Sequence, residues 1–411
     1  MTMAWRFRAG IVAASALSIG LGACGPDNAV NEAGTAHPVA NRSSVSGTAP
    51  GTVPTPVSGD AKSAFEPAIR APEPGHWGPP AGPEAPWYAV QACVNMGNAL
   101  DAPEEGAWGW SIETAHFQAI AAAGFDTVRI PIRWSAHTGE APAFSIDPDF
   151  LARVDTVIRE ARDAGLNVII NVHHFMELMA DPQAHRARLM AIWGQLAHYY
   201  RHLPKDVYFE ILNEPHDQLQ GAAMRDILRE AVGIVRTLHP DRAIILGGDQ
   251  YSKIATLDSL PDLDDPRIVP TFHYYDPFEF THQDAPWLGE GGPRGPVSWG
   301  SRDDRTALTR NAKTAGKYRL DEDVPLLMGE FGVYNGVSKA ERVAWTRDVR
   351  REFEAWGIGW CAWSFTTTFP LWDYETKTWL PGMLDALGLD EAPVPAAAPE
   401  TGADPQVMSL E

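Results

Sequence analysis

Two glutamates stand in short polar motifs, Glu214 in Asn213-Glu214-Pro215 and Glu330 in Gly329-Glu330-Phe331-Gly332, each just after an apolar run of strand length. Other chemistry-bearing residues hold the same kind of position: Arg129, His173 with His174, His273 with Tyr275, and Trp363 all end or follow such runs. If the runs are parallel strands of one sheet, all of these side chains collect at its carboxyl-terminal edge. Two carboxylates, a guanidinium, imidazoles, an amide, a phenol and an indole on one face are the set that hydrolysis of a glycosidic bond with retention requires, one carboxyl as acid and one as nucleophile.

The elements that must position these residues can be read from the same pattern. Ala92–Gly97, Thr127–Pro131, Val168–His173, Val207–Leu212, Ala243–Leu246, Ile268–Phe272, Pro325–Met328 and Gly357–Trp363 are eight apolar runs, and segments of helical period separate them. Continuous apolar character fits strands buried on both faces, as in a parallel sheet covered by helices. One connecting helix is explicit: Asp147 is a suitable N-cap, Pro148 fits the first turn, Phe150, Leu151, Val154, Val157, Ile158 and Ala161 share a face, and Gly165 ends it. An earlier helix is expected from near Ser111 to Gly124. Eight such units predict an α/β fold, a closed (β/α)8 barrel in a single catalytic domain spanning 87–390.

The ends read differently. Arg6 and Arg8 precede an apolar run, Ala9 to Ala23, too short to span a bilayer, so 1–23 is expected to be a signal peptide. Its end, Leu21-Gly22-Ala23-Cys24, resembles the lipobox of bacterial lipoproteins, which implies lipidation of Cys24, and Gly25 in place of Asp implies the outer membrane, facing the periplasm or the cell surface. Residues 24–86 are rich in Pro, Gly and Ala and read as a tether, although Phe65, Ile69 and Trp77 interrupt it; 391–411 read as a disordered tail. A net charge of −20 with no basic stretch argues against nucleic acid as a partner and suits a neutral polymer, while 15 Trp offer rings for sugar faces.

Taken in order, Asn95-Met96-Gly97-Asn98, Arg129-Ile130-Pro131, Val172-His173-His174, Asn213-Glu214-Pro215, His273-Tyr274-Tyr275, Gly329-Glu330-Phe331-Gly332 and Trp363-Ser364-Phe365 resemble glycoside hydrolase family five, the cellulase family, over about Trp87 to Leu389. The resemblance implies an endo-β-1,4-glucanase with Glu214 as acid/base and Glu330 as nucleophile, without a cofactor. It implies supporting roles for Arg129, His173, His174, Asn213, His273, Tyr275, Trp363 and Asn98, with Asn213 on the sugar 2-hydroxyl. Mannan, xyloglucan and mixed-linkage glucan are alternative substrates for the same chemistry, and a non-catalytic glycan-binding lipoprotein is the reading from another class.

Rival roles for these residues are weaker. Adjacent residues on a strand point to opposite faces, so at most one of His173 and His174 is expected to reach a shared site, and no metal is assigned. Glu210 has the parity of Glu214 but lies lower, which predicts a structural carboxylate paired with an arginine. No Gly-x-Ser-x-Gly motif supports a serine hydrolase. Cys93 and Cys361 fall on the first and last strands; bridges between adjacent parallel strands fit the geometry poorly, so two buried thiols are expected.

Overall fold

Valine, isoleucine and phenylalanine dominate the runs that become strands, and each strand is almost wholly buried, as the continuous apolar pattern requires. The computed structural model describes residues 69–73, 75–78 and 86–390. The leader 1–23, Cys24 and the segment 391–411 lie outside the described residues.

Eight strands, β1 (Ala92–Asn95), β2 (Thr127–Ile130), β3 (Asn167–Asn171), β4 (Val207–Glu210), β5 (Ile244–Gly247), β6 (Ile268–Tyr274), β7 (Leu327–Phe331) and β8 (Gly359–Ala362), form a closed parallel barrel. Sequential neighbours pair, and β1 closes the ring on β8. With helices between the strands this is the (β/α)8 barrel expected. Several apolar runs outlast their strands. Met96, Val172 and Leu212 are buried beyond the ends of β1, β3 and β4, so burial there continues after the ladder stops.

The helix Pro148–Asp163 forms as its sequence demands. The Asp147 carboxylate accepts from the amides of Asp149 and Phe150, Leu151, Val154, Val157, Ile158 and Ala161 are buried, and Gly165 leaves the helix at φ +85°. The earlier helix is shorter than expected, Thr114–Ala122. After β8 a small antiparallel hairpin, β9 (Trp372–Asp373) and β10 (Thr378–Trp379), lies on the chain's way to the last helix, Met383–Leu387.

The lower barrel interior is a separate apolar cluster of Val90, Cys93, Ile169, Tyr208, Ala243, Ile245, Val269, Leu327 and Cys361. Here the expectation of two thiols is wrong, because Cys93 and Cys361 form a disulfide. The two residues are direct register partners of β1 and β8, with Cα atoms 4.1 Å apart, and both side chains enter the same interior cluster. Parallel neighbours of equal parity face the same way, and barrel curvature turns those two side chains toward each other.

Upstream of the barrel, Trp77 is buried beside Tyr199 and Tyr200, its ring 5.4 Å from that of Tyr200, and the Arg162 guanidinium donates to its carbonyl. Ile69 packs on the same core. Both had stood out as apolar interruptions of the proline-rich composition.

Candidate active site

Arg129, on β2, is the centre of the upper barrel interior and is fully buried. Its Nε and Nη2 donate to the two oxygens of Glu210 at 2.6 and 2.7 Å, Nη1 donates to Asn95 Oδ1 and Glu330 Oε1, both at 2.8 Å, and Nη2 also donates to Asn213 Oδ1 at 2.8 Å. All five guanidinium donors are thereby used, the condition under which a buried arginine is tolerable. Burial alone would discharge it; Glu210 and then Glu330 more than offset this and hold the cation. Glu210 thus has the structural partner expected of it.

Glu330 lies on β7 itself, 1% exposed, and Tyr275 donates its hydroxyl to Oε2 at 2.8 Å. Burial raises its pKa and neighbouring Glu214 adds to that, while His273, Arg129 and the Tyr275 hydrogen bond pull it down. Glu214 follows β4, at φ +41°, a left-handed backbone that costs a side-chain-bearing residue about 1 kcal/mol or more. The Asn213 amide N–H holds the preceding residue to the Val172 carbonyl at 2.9 Å. One Glu214 oxygen lies 2.6 Å from His273 Nδ1, and the same nitrogen is 3.6 Å from Glu330. Burial pushes the Glu214 carboxyl up to about 8, against the pull of Arg129 and with help from Glu210. Two carboxyls of the same chemistry are therefore differentiated, since only Glu330 receives the guanidinium and the phenol.

Trp363, after β8, is buried and lies parallel to His173, ring centroids 5.6 Å apart and planes at 4°. Gly97 permits this placement, because a Cβ there would meet the indole at 2.5 Å. Asn98 sits farther out and donates to Thr367 and Thr368, tying the loop after β1 to the loop after β8. All the residues expected at the site converge at the upper end of the barrel. His174 corrects the sequence reading. Its Nε2 is 3.8 Å from Asp101 Oδ2, and nitrogens of His173 and His174 with an oxygen of Asp101 all lie within 4.8 Å of one another. The alternation rule fails because β3 ends at Asn171, and His173 and His174 belong to the irregular segment that follows it. Burial holds both histidines neutral, His174 near 3, and lifts Asp101 to about 6. Glu214, His273 and Glu330 form a second group with donor atoms equally close, so either trio has atoms within reach of one cation.

Asn95, Asp101 and Asn171 were not singled out by sequence. Asn95 carried a signal, standing first in its motif on β1; Asp101 had none, lying in a loop whose path only the fold supplies. The loop tryptophans also separate. Trp110, Trp134 and Trp372 are core, Trp299 anchors to Asp348 through its indole N–H, and Trp108 and Trp287 remain partly exposed, Trp108 beside His174.

Comparison with known proteins agrees with this geometry. The model of the Cellulase family (glycosyl hydrolase family 5) matches residues 88–368. Endoglucanase H of Acetivibrio thermocellus is 31% identical over 300 residues, 72% of this chain but 32% of that protein; the Cellulase/esterase CelE of the same organism is 28% identical over 322 residues, 71% and 38%. The chain thus spans about a third of the length of these relatives. Cel5A of Thermotoga maritima, solved with cellobiose, superposes at a TM-score of 0.71 with 39% identity over 72% of this chain and 97% of its own; it has also been solved with mannotriose.

Proposed function

The chain belongs to glycosyl hydrolase family 5, the cellulase family, and from that premise we propose that it is a retaining endo-β-1,4-glucanase with Glu214 as acid/base and Glu330 as nucleophile. The observation that carries this reading is the approach of the two carboxylates, with one oxygen of each within 4.8 Å of the other. Retaining enzymes hold their carboxyls about 5–5.5 Å apart, whereas inverting ones need about 6.5–9.5 Å to admit a water.

The electrostatics support the division of labour. Glu214, raised to about 8, keeps its proton at neutral pH and gives it to the glycosidic oxygen as that bond breaks. Glu330, held by Arg129 and Tyr275, attacks the anomeric carbon and forms a glycosyl ester. Glu214, now ionised, takes a proton from water, whose oxygen displaces Glu330 and restores the original configuration. Asn213 gives its Oδ1 to Arg129, which turns Nδ2 toward the cleft for the sugar 2-hydroxyl. Trp363 supplies the apolar floor, and His173 and His273 orient substrate and carboxylates.

The test separates the two glutamates. Glu214→Ala should lose polysaccharide cleavage yet still form the ester from an aryl glycoside with a good leaving group, and azide should then yield a β-glycosyl azide. With Glu330→Ala both substrates should be inert until azide gives the α-product. The reverse pattern would swap the roles, and an inverted first product from the wild type would exclude retention.

Solution of Cel5A with mannotriose favours mannan as the second substrate to try, alongside xyloglucan and mixed-linkage glucan. Reducing-sugar release from the four polymers ranks them, and turnover of any removes the glycan-binding alternative. We further propose that the protein is exported as an outer-membrane lipoprotein through Cys24, which labelling with an acyl analogue would reveal and Cys24→Ser would abolish.

A further inference from the structure

Asn171, the last residue of β3, is fully buried two residues before His173. Its amide orientation is fixed from one side. The Ile132 N–H donates to Oδ1 at 3.1 Å, and only the oxygen of an amide can accept it. The Asn171 backbone is held as well, its carbonyl accepting from the Trp134 indole N–H at 3.0 Å. Nδ2 is therefore the atom that faces His173 Nδ1, at 3.1 Å. An amide NH2 can only donate, so Nδ1 is the acceptor and carries no proton. A neutral imidazole has one N–H, which must then sit on Nε2. The same Ile132 clamps the histidine backbone, its carbonyl accepting from the His173 N–H at 2.9 Å. His173 Nε2 and Asp101 Oδ2 are both buried and engage no hydrogen-bond partner among the described residues.

We propose that Asn171 is a positioning residue that fixes His173 as the Nε2–H tautomer, so that this nitrogen enters the cleft as a hydrogen-bond donor to a substrate oxygen, opposite the acceptor Asp101. The consequence reaches beyond orientation. Asp101, His173 and His174 have the spacing of a three-ligand cation site, but a ligating imidazole nitrogen needs its lone pair. With the Nδ1 lone pair taken by the Asn171 amide and the proton on Nε2, neither nitrogen of His173 is free to ligate, so the amide selects a hydroxyl over a metal ion. The role of the donor toward sugar rests on the glycosidase reading; the tautomer does not.

Nitrogen-15 NMR of histidine-labelled protein, with His173 assigned through a His173→Gln variant, reads the tautomer without substrate. The wild type should show Nε2 protonated and Nδ1 bare; the opposite pattern overturns the proposal whatever the enzyme hydrolyses. Asn171→Asp keeps the Ile132 contact but presents an acceptor to Nδ1, so the proton should move to Nδ1 and kcat/KM on cello-oligosaccharides should fall about ten- to a hundredfold. That variant should also acquire Co2+ binding, visible by its absorption band, whereas the wild type should not bind Co2+ through His173. A folded Asn171→Asp protein with unchanged tautomer and kcat/KM would sink the idea, as would Co2+ bound at His173 Nε2 in the wild type. Should Asn171→Asp fail to fold, the wild-type spectrum still decides. Inactivity of the wild type on every glycan would remove the proposed function and leave the tautomer assignment standing.

Discussion

The two halves of the barrel interior are built on opposite principles. Below, Ile169, Tyr208, Ile245, Val269 and Leu327 pack around the Cys93–Cys361 bridge, an apolar plug whose phenol is met by the Ala89 amide. Above, within one or two pleats, Arg129, Glu210, Asn95, Asn213 and Glu330 form a charged network with hardly an apolar atom between them. The lower half is stabilised by contact and by a covalent link, the upper half by pairing charges that would each be intolerable alone. Their juxtaposition is productive: the dry floor keeps the effective dielectric low, so the guanidinium and phenol hydrogen bonds that Glu330 receives and Glu214 does not weigh heavily in setting the two carboxyls apart.

Substitutions in the two halves should therefore fail in different currencies. The largest effect is expected above, where Glu330→Gln should cut kcat/KM by about 10⁴-fold or more while leaving the thermal midpoint near that of wild type. An accompanying collapse of the midpoint would mean that this carboxylate serves folding first. Next, Arg129→Met strands Glu210 and Glu330 without a cation; a stability loss of about 3–5 kcal/mol in urea unfolding is expected, along with activity. A neutral result would show that both carboxyls simply take up protons. Below, Cys93→Ala with Cys361→Ala should cost about 2–4 kcal/mol and leave kcat unchanged at temperatures where the protein is folded. A fall in kcat would dissolve the distinction between the halves. The most gradual effect is proton-linked. The folded chain binds the Glu214 proton more tightly than an ordinary carboxyl at 4.5, up to about 8, so the folded state holds the extra proton in that window and stability falls as pH rises through it. The slope cannot exceed about 1.4 kcal/mol per pH unit from this group, Glu214→Gln should remove it, and kcat/KM of the wild type should decline above about pH 8.

Legibility in the sequence follows the same division. The barrel could be read because strands buried on both faces leave unbroken apolar runs, and the candidate site because polar residues at run ends are few. Contacts across the ring could not. The pairing of Cys93 with Cys361 depends on register and curvature, and Asp101 reaches His174 through a loop with no periodic pattern. His173 and His174 misled for a physical reason: strand alternation was applied two and three residues beyond the end of β3. Asn171 is a related case, invisible as a functional residue because it acts through a proton on its neighbour.

The bridge between the first and last strands has a mechanical meaning. Cys93 and Cys361 are 268 residues apart, and Arg129, Glu214 and Glu330 lie on the chain between them. Tension applied across the two ends of the polypeptide would pass from β1 to β8 through two sulfur atoms and bypass the intervening loop. Only the stretches outside Cys93 and Cys361 could be drawn out. A pulling experiment would thus record a short extension in oxidised protein and a long one after reduction, with Glu214 and Glu330 shielded from the load in the first case alone and Trp363, beyond the bridge, exposed to it in both.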